Sequence, residues 1–321
     1  MSVVTPGRRG RLGITLGDPA GIGPEIVAAT LAALGDEDRS RITVYGDHGP
    51  LERGARAIGV TLPADVLIVG GGTGASAIAG KPDEQTGAAQ VGYLEAAIAA
   101  ARAGEVAALV TAPISKTWAA RAGFAFPGHT ELLAARLGAD HVVMLFAGPR
   151  LKVALATIHI PLAEVARTLT TASLRRTIEI LAASLVRDFA IALPRIGVVG
   201  LNPHAGEGGL LGTEDAAIIA PALTALPPAQ LFGPLVADAV FRDAMHGKYD
   251  ALVAMYHDQG LIPVKLVDFD EAVNVTLGLP IVRTSPDHGT AYDIAGSGTA
   301  RPISMQRALS LAIDMLERRA S

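Results

Sequence analysis

Apolar residues in this chain come in two kinds of run. Short blocks at 12–16 (LGITL), 42–45 (ITVY), 66–69 (VLIV), 107–111 (AALVT), 142–146 (VVMLF), 151–157 (LKVALAT), 195–201 (RIGVVGL) and 251–255 (ALVAM) are apolar with little alternation. That pattern predicts strands buried on both faces of a largely parallel sheet. Between them lie longer helical patterns at 24–34, 93–103, 130–137 and 173–187. A last helix is predicted at 302–319, with Pro302 opening its first turn. Strand and helix alternating throughout means an α/β fold. Nothing repeats at a fixed period, and no segment is of low complexity. The punctuation "FAFPGH" at 124–129 and the turn-rich stretch near 266–273 mark the best crossings between two lobes.

Composition narrows the class. With 321 residues, half of them hydrophobic and 18% charged, the chain can fill a large core, and extended disorder is excluded. Mean hydropathy is +0.38, yet no stretch approaches the roughly 20 apolar residues of a spanning helix. The excess comes from alanine-rich helices and the short strands. A net charge of −4 gives no footprint for nucleic acid or for an anionic membrane. The basic start "PGRRGR" has no apolar region behind it and reads as a solvated tail, not a signal peptide. Without cysteine, any transition-metal site must use His, Asp or Glu. A soluble cytoplasmic protein is expected.

Ligands of open α/β sheets bind beyond the carboxyl ends of the strands. Three histidines stand just there: His159 in "IHIPL", His204 in "NPHAGEGG" and His257 in "HDQG". Singly, each is an ordinary hydrogen-bonded loop histidine. Together, at well-separated strand ends, they form a candidate site for a divalent metal with positions open to substrate. Asn202 and Glu207 either orient an imidazole or form the turn. In "FPGHTELLAARLG", His129 and Thr130 begin a helix; Thr130 is either its N-cap or, with His129, part of an anion site. Arg283 offers a fork for carboxylate or phosphate, or a salt bridge to Asp287, and Lys265 adds a point charge of the same sign. Asn274 lies in the same polar-dense stretch. Lys116 is an anion ligand or solvated, and Asp238 a substrate contact or a helix cap. "GDPAGIGPEI" at 17–26 lacks the Lys-Ser/Thr of a phosphate-binding loop. The glycine spacing in "GGGTGASAIAG" at 70–80 has no acidic partner about 20 residues on, so no Rossmann domain is inferred.

The motifs "GDPAGIGPE", "PGHTE", "LNPHAGEGG", "AMYHDQGLIPVK" and "VNVTLGLPIVRTSPDHGTA" resemble, in order and along nearly the whole chain, the 4-hydroxythreonine-4-phosphate dehydrogenase family of pyridoxine biosynthesis. The resemblance implies a two-lobed α/β/α fold similar to isocitrate and isopropylmalate dehydrogenases, with the active site in the cleft between lobes. Approximate lobes are 1–128 plus 273–321, and 129–272, the latter carrying the metal-ligand histidines and the contacts of a homodimer with shared active sites. The resemblance also implies oxidation of 4-phosphohydroxy-L-threonine with NAD or NADP and one divalent ion, zinc, magnesium or cobalt. The β-keto acid formed would lose CO₂ and yield 3-amino-2-oxopropyl phosphate. By motif, the metal ligands fall on His159, His204 and His257, with one expected from the partner subunit. The substrate-binding positions fall on His129, Thr130, Lys265, Asn274 and Arg283. Asp258 and His129 are the candidates for the base that takes the hydroxyl proton. Relatives acting on other 4-phosphorylated hydroxy acids such as threonate or erythronate 4-phosphate, or on aromatic dihydrodiols, share the pattern. A phosphate acyltransferase, which needs no three-histidine site, and a metal-dependent hydrolase are the rivals from other classes.

Overall fold

The computed structural model describes residues 10–320; residues 6–9 of the basic stretch "PGRRGR" lie outside them. The chain divides into two compact units, Met1–Ala139 with Leu279–Ser321, and Asp140–Gly278. The punctuation at 124–129 lies inside the first unit, where it leads into a helix. His129 and Thr130 therefore belong with the first unit.

Elements are numbered along the whole chain. The first unit contains β1 (Leu12–Thr15), α1 (Gly23–Ala32), α2 (Asp36–Arg39), β2 (Ile42–Tyr45), α3 (His48–Ala57), β3 (Leu67–Val69) and α4 (Glu84–Arg102). Next come β4 (Ala108–Thr111), α5 (Lys116–Arg121) and α6 (His129–Leu137); after the second unit the chain returns as β11 (Val282–Pro286) and α12 (Ile303–Ala320). Its strands run parallel in the order β3-β2-β1-β4-β11. β1, β2 and β4 are buried at every position, as continuous apolar runs require. α12 covers the sheet with Met305, Ala308, Leu309 and Ala312, all at most 1% exposed. Pro302 precedes this helix by one residue and lends its carbonyl to Gln306 N.

The two glycine-bearing loops of this unit are filled from inside. Asp18 accepts hydrogen bonds from Ala20 N and the Tyr292 hydroxyl, and Glu25 Oε1 accepts from Gly296 N, so the 17–22 loop and the first turn of α1 are latched to the 290–298 loop. Burial raises the Asp18 pKa. In the 70–80 loop, Gly72 N and Gly74 N donate to the Asp47 carboxylate at 2.7 and 2.6 Å, and the Tyr93 hydroxyl donates to it as well. Peptide N–H groups of the kind that cradle a phosphate thus hold the chain's own anion.

The second unit contains β5 (Val143–Ala147), β6 (Lys152–Leu155), α7 (Leu162–Thr168), α8 (Thr171–Phe189), β7 (Arg195–Val199) and α9 (Ala220–Ala222). β8 (Gln230–Leu235), α10 (Ala237–Met245), β9 (Ala251–Ala254), α11 (His257–Asp268) and β10 (Val273–Leu277) complete it. The strand order is β10-β5-β6-β9-β7-β8. β6, β9, β7 and β8 are parallel, whereas β5 is antiparallel to both β10 and β6. The link from β5 to β6 is too short for a parallel crossover. Buried Asp268 steadies it by accepting from Arg150 N and Leu151 N. All eight predicted strands form. β8, β10 and β11 escape the apolar pattern, because β8 is a half-exposed edge carrying Gly233 and Pro234, and the other two bear polar side chains. No helix among the described residues is long and apolar enough to cross a membrane.

Candidate functional site

In the second unit, β6, β9 and β7 are adjacent and parallel, so their carboxyl ends share one edge of the sheet. His159 follows β6, His257 follows β9 and His204 follows β7. Side chains tie the three ends together. Thr157 Oγ1 donates to Met255 O at 2.7 Å, joining the ends of β6 and β9. Gln259 accepts from Met255 N and donates to Gly200 O, both at 2.7 Å, joining β9 to β7. The segment after β7 is gripped by Asp215, which is 2% exposed and accepts from Leu201 N, Asn202 N and Asn202 Nδ2.

The imidazole rings of His159 and His257 have centroids 5.6 Å apart. Among the described residues no group of three His, Cys, Asp or Glu side chains is gathered closely enough to hold a metal ion, so His159, His204 and His257 do not form such a group within one chain. His204 sits in a tight left-handed turn: residues 204–208 all have positive φ, between 43° and 81°. Three of these are not glycine, a conformation that costs about 1–2 kcal/mol per residue. His257 opens α11, and its Nδ1 lies 2.7 Å from the Asp258 carboxylate. Donation from Nδ1 to that carboxylate leaves the Nε2 lone pair as the one that could hold a metal. Lys265 lies two turns further along α11, its ammonium 5.3 Å from the Phe269 ring centroid. Asn274, on β10, has a buried Oδ1 that makes no hydrogen bond among the described residues.

The first unit holds a second cluster, where Thr111 at the carboxyl end of β4 meets Arg283 from the start of β11. Arg283 is 2% exposed and donates to Thr111 Oγ1 at 2.8 Å. Burial pulls the Arg283 pKa down to about 10. His129 and Thr130 are the first two residues of α6, whose N-cap is Gly128; Thr130 is therefore not the cap, as extended Gly128 already occupies that position. The residue His129 is partly exposed, yet its Nε2 is shut off from water and makes no hydrogen bond among the described residues. Its pKa lies well below the usual imidazole value, through burial first and then the charges of Arg283 and Lys116. Lys116 begins α5, and its Nζ comes within 3.8 Å of the space above Gly128. Two cations and a buried imidazole at a helix start are groups that could hold an anion, with the Glu131 carboxylate also close to Gly128.

Sequence reasoning missed the latches Thr157, Gln259 and Asp215. Gln259 had a signal, since it stands inside "HDQG". Asn202 serves Asp215 and Glu214 and thereby shapes the turn. Asp238 is an exposed residue of the first turn of α10 and makes no cap bond.

The family model described as pyridoxal phosphate biosynthetic protein PdxA matches residues 37–312. A 4-hydroxythreonine-4-phosphate dehydrogenase from Geobacter metallireducens is 46% identical over 97% of this chain and 96% of its own length. Among solved structures, the 4-hydroxythreonine-4-phosphate dehydrogenase from Klebsiella pneumoniae superposes with a TM-score of 0.85 at 37% identity, covering 96% of this chain and 98% of that one. A terephthalate 1,2-cis-dihydrodiol dehydrogenase from Burkholderia xenovorans LB400 is more distant, with a TM-score of 0.64 at 31% identity, covering 95% and 98%. With these likenesses along almost its whole length, the chain belongs to the PdxA family of dehydrogenases.

Proposed function

We propose that this chain oxidises 4-phosphohydroxy-L-threonine with NAD or NADP in a divalent-metal-dependent reaction. The β-keto acid formed loses CO₂ to give 3-amino-2-oxopropyl phosphate. The observation that carries this reading is the pairing of imidazoles at one sheet edge with a separate cluster of buried donors suited to a phosphate. His159, His204 and His257 hold the metal, with one of them supplied by the partner subunit. The His159 and His257 rings, already neighbours, fit such a role. When bound, a divalent ion would supply polarisation of the substrate hydroxyl and a nicotinamide would supply the hydride acceptor.

The chain's own groups do the rest. His129, Thr130 and Arg283 bind the phosphate, while Lys265 and Asn274 bind the remaining polar groups and fix the reacting geometry. Two groups meet the chemistry of the base: Asp258, beside His257, and His129, held neutral by its surroundings. The same reading has the enzyme act in the cytoplasm as a homodimer. An apolar stripe on α11, with Ile262, Leu266 and Phe269 exposed at 59%, 80% and 62%, supports a subunit contact through the second unit.

The direct test follows reduced nicotinamide by absorbance, with the substrate, a divalent ion and each cofactor in turn. Growth that stops on chelation is expected; no growth with either cofactor overturns the reading. A second reading keeps the chemistry and changes the substrate to another 4-phosphorylated hydroxy acid such as threonate or erythronate 4-phosphate. The buried anion cluster favours such substrates over an aromatic dihydrodiol, and a substrate panel separates them.

A further inference from the structure

We propose that Gln90 is a further anion-contacting residue of this site, donating through its side-chain N–H₂ to the bound phosphate beside Lys116, His129 and Arg283. The proposal rests on the reading of that cluster as the phosphate site.

Gln90 lies on α4 and is 1% exposed. Its Oε1 accepts from Ser115 N at 2.7 Å, which fixes the orientation of the amide because a peptide N–H can only donate. The Nε2 is then a double donor, buried, with no hydrogen bond among the described residues. Buried amides left unsatisfied are rare and expensive, so a group of this kind marks a missing acceptor. The place where it waits is informative. Ser115 is the N-cap of α5 and immediately precedes Lys116, whose side chain reaches toward Gly128 and so to the start of α6 at His129. α4 comes close enough for this because Gly87, one turn before Gln90, faces Trp118 O; a Cβ there would meet that oxygen at 2.3 Å. Surrounding charge is positive at Lys116 and Arg283, with Glu131 in the first turn of α6 the carboxylate that acts on Arg283. In these surroundings an anion is an acceptor suited to Gln90 Nε2.

Two substitutions separate contact from scaffolding. Gln90→Glu keeps the Oε1 acceptor for Ser115 N and replaces the donor with a second oxygen. Gln90→Met keeps the volume and removes both functions. The probe is inorganic phosphate, titrated into the full-length protein without cofactor or metal and followed by calorimetry, with thermal melts to confirm that each variant folds. We expect phosphate affinity to fall in the order wild type, Gln90→Met, Gln90→Glu, with the last at least about tenfold weaker than wild type. With the phosphorylated substrate, KM should rise and kcat hold. A residue that only props up Ser115 gives the opposite order, Gln90→Glu matching wild type and Gln90→Met the worse, and this result overturns the proposal. So does a wild-type protein that binds no phosphate. Phosphate binding with the expected order, but no nicotinamide reduction, would sink the proposed reaction while supporting the contact.

Discussion

His129 shows most plainly how its neighbours set the chemistry of one side chain. Burial and two nearby cations disfavour its charged form, so its folded pKa lies below the unfolded value of 6.5. The unfolded chain then binds the proton more readily than the folded one. The contribution of His129 to stability is complete above about pH 6.5 and is lost as pH falls below that value toward its folded pKa. Melts of wild type and His129→Gln, compared between about pH 7 and about pH 5, should show the steeper loss in the wild type. Arg283→Lys keeps the charge but removes the fork and the bond to Thr111, so KM for the phosphorylated substrate should rise at least about tenfold with a smaller change in kcat. At this scale the sequence was informative about identity and silent about environment. Arg283 could equally have paired with Asp287, and nothing in "IVRTSP" says that it would be buried with a bond to Thr111 across two strands.

Elements carry the site by holding strand ends together. Thr157 doubles the last backbone bond between the ends of β6 and β9, and Gln259 bridges the ends of β9 and β7. Gln259→Leu should release the β7 end, cost about 1–3 kcal/mol in denaturant unfolding, and weaken metal binding by about 10- to 100-fold in a zinc titration. His204→Ala is expected to abolish metal-dependent turnover while leaving the fold, since the residue lies in a turn outside the strands. The apolar stripe on α11 makes its own prediction. Leu266→Glu places a charge at a position 80% exposed, harmless to an isolated chain, and should shift the sedimentation of a dimer toward the monomer. The pattern of apolar runs revealed most of these elements because buried parallel strands leave no alternation to confuse. It missed β10 and β11 because those strands carry polar side chains, Asn274 and Arg283 among them, that interrupt the apolar run.

For the whole molecule, metal binding and stability are linked. An ion that binds only the folded state at about 100 times its Kd should add about 2.7 kcal/mol to unfolding, and a chelator should remove it. A variant with both His159→Ala and His257→Ala should melt at the same temperature with and without the ion. The sequence by itself determined the alternation of strand and helix, the placement of histidines after β6, β7 and β9, and the family. Each of these is local or additive along the chain: apolar runs, turn residues and motif order. Only the tertiary structure decided that Asp47 occupies the glycine loop, that His129 and Arg283 share a buried cluster, and that Gln90 is buried with an Nε2 that makes no hydrogen bond among the described residues. Those facts depend on which distant segments pack together, and on a dielectric environment that no single segment carries.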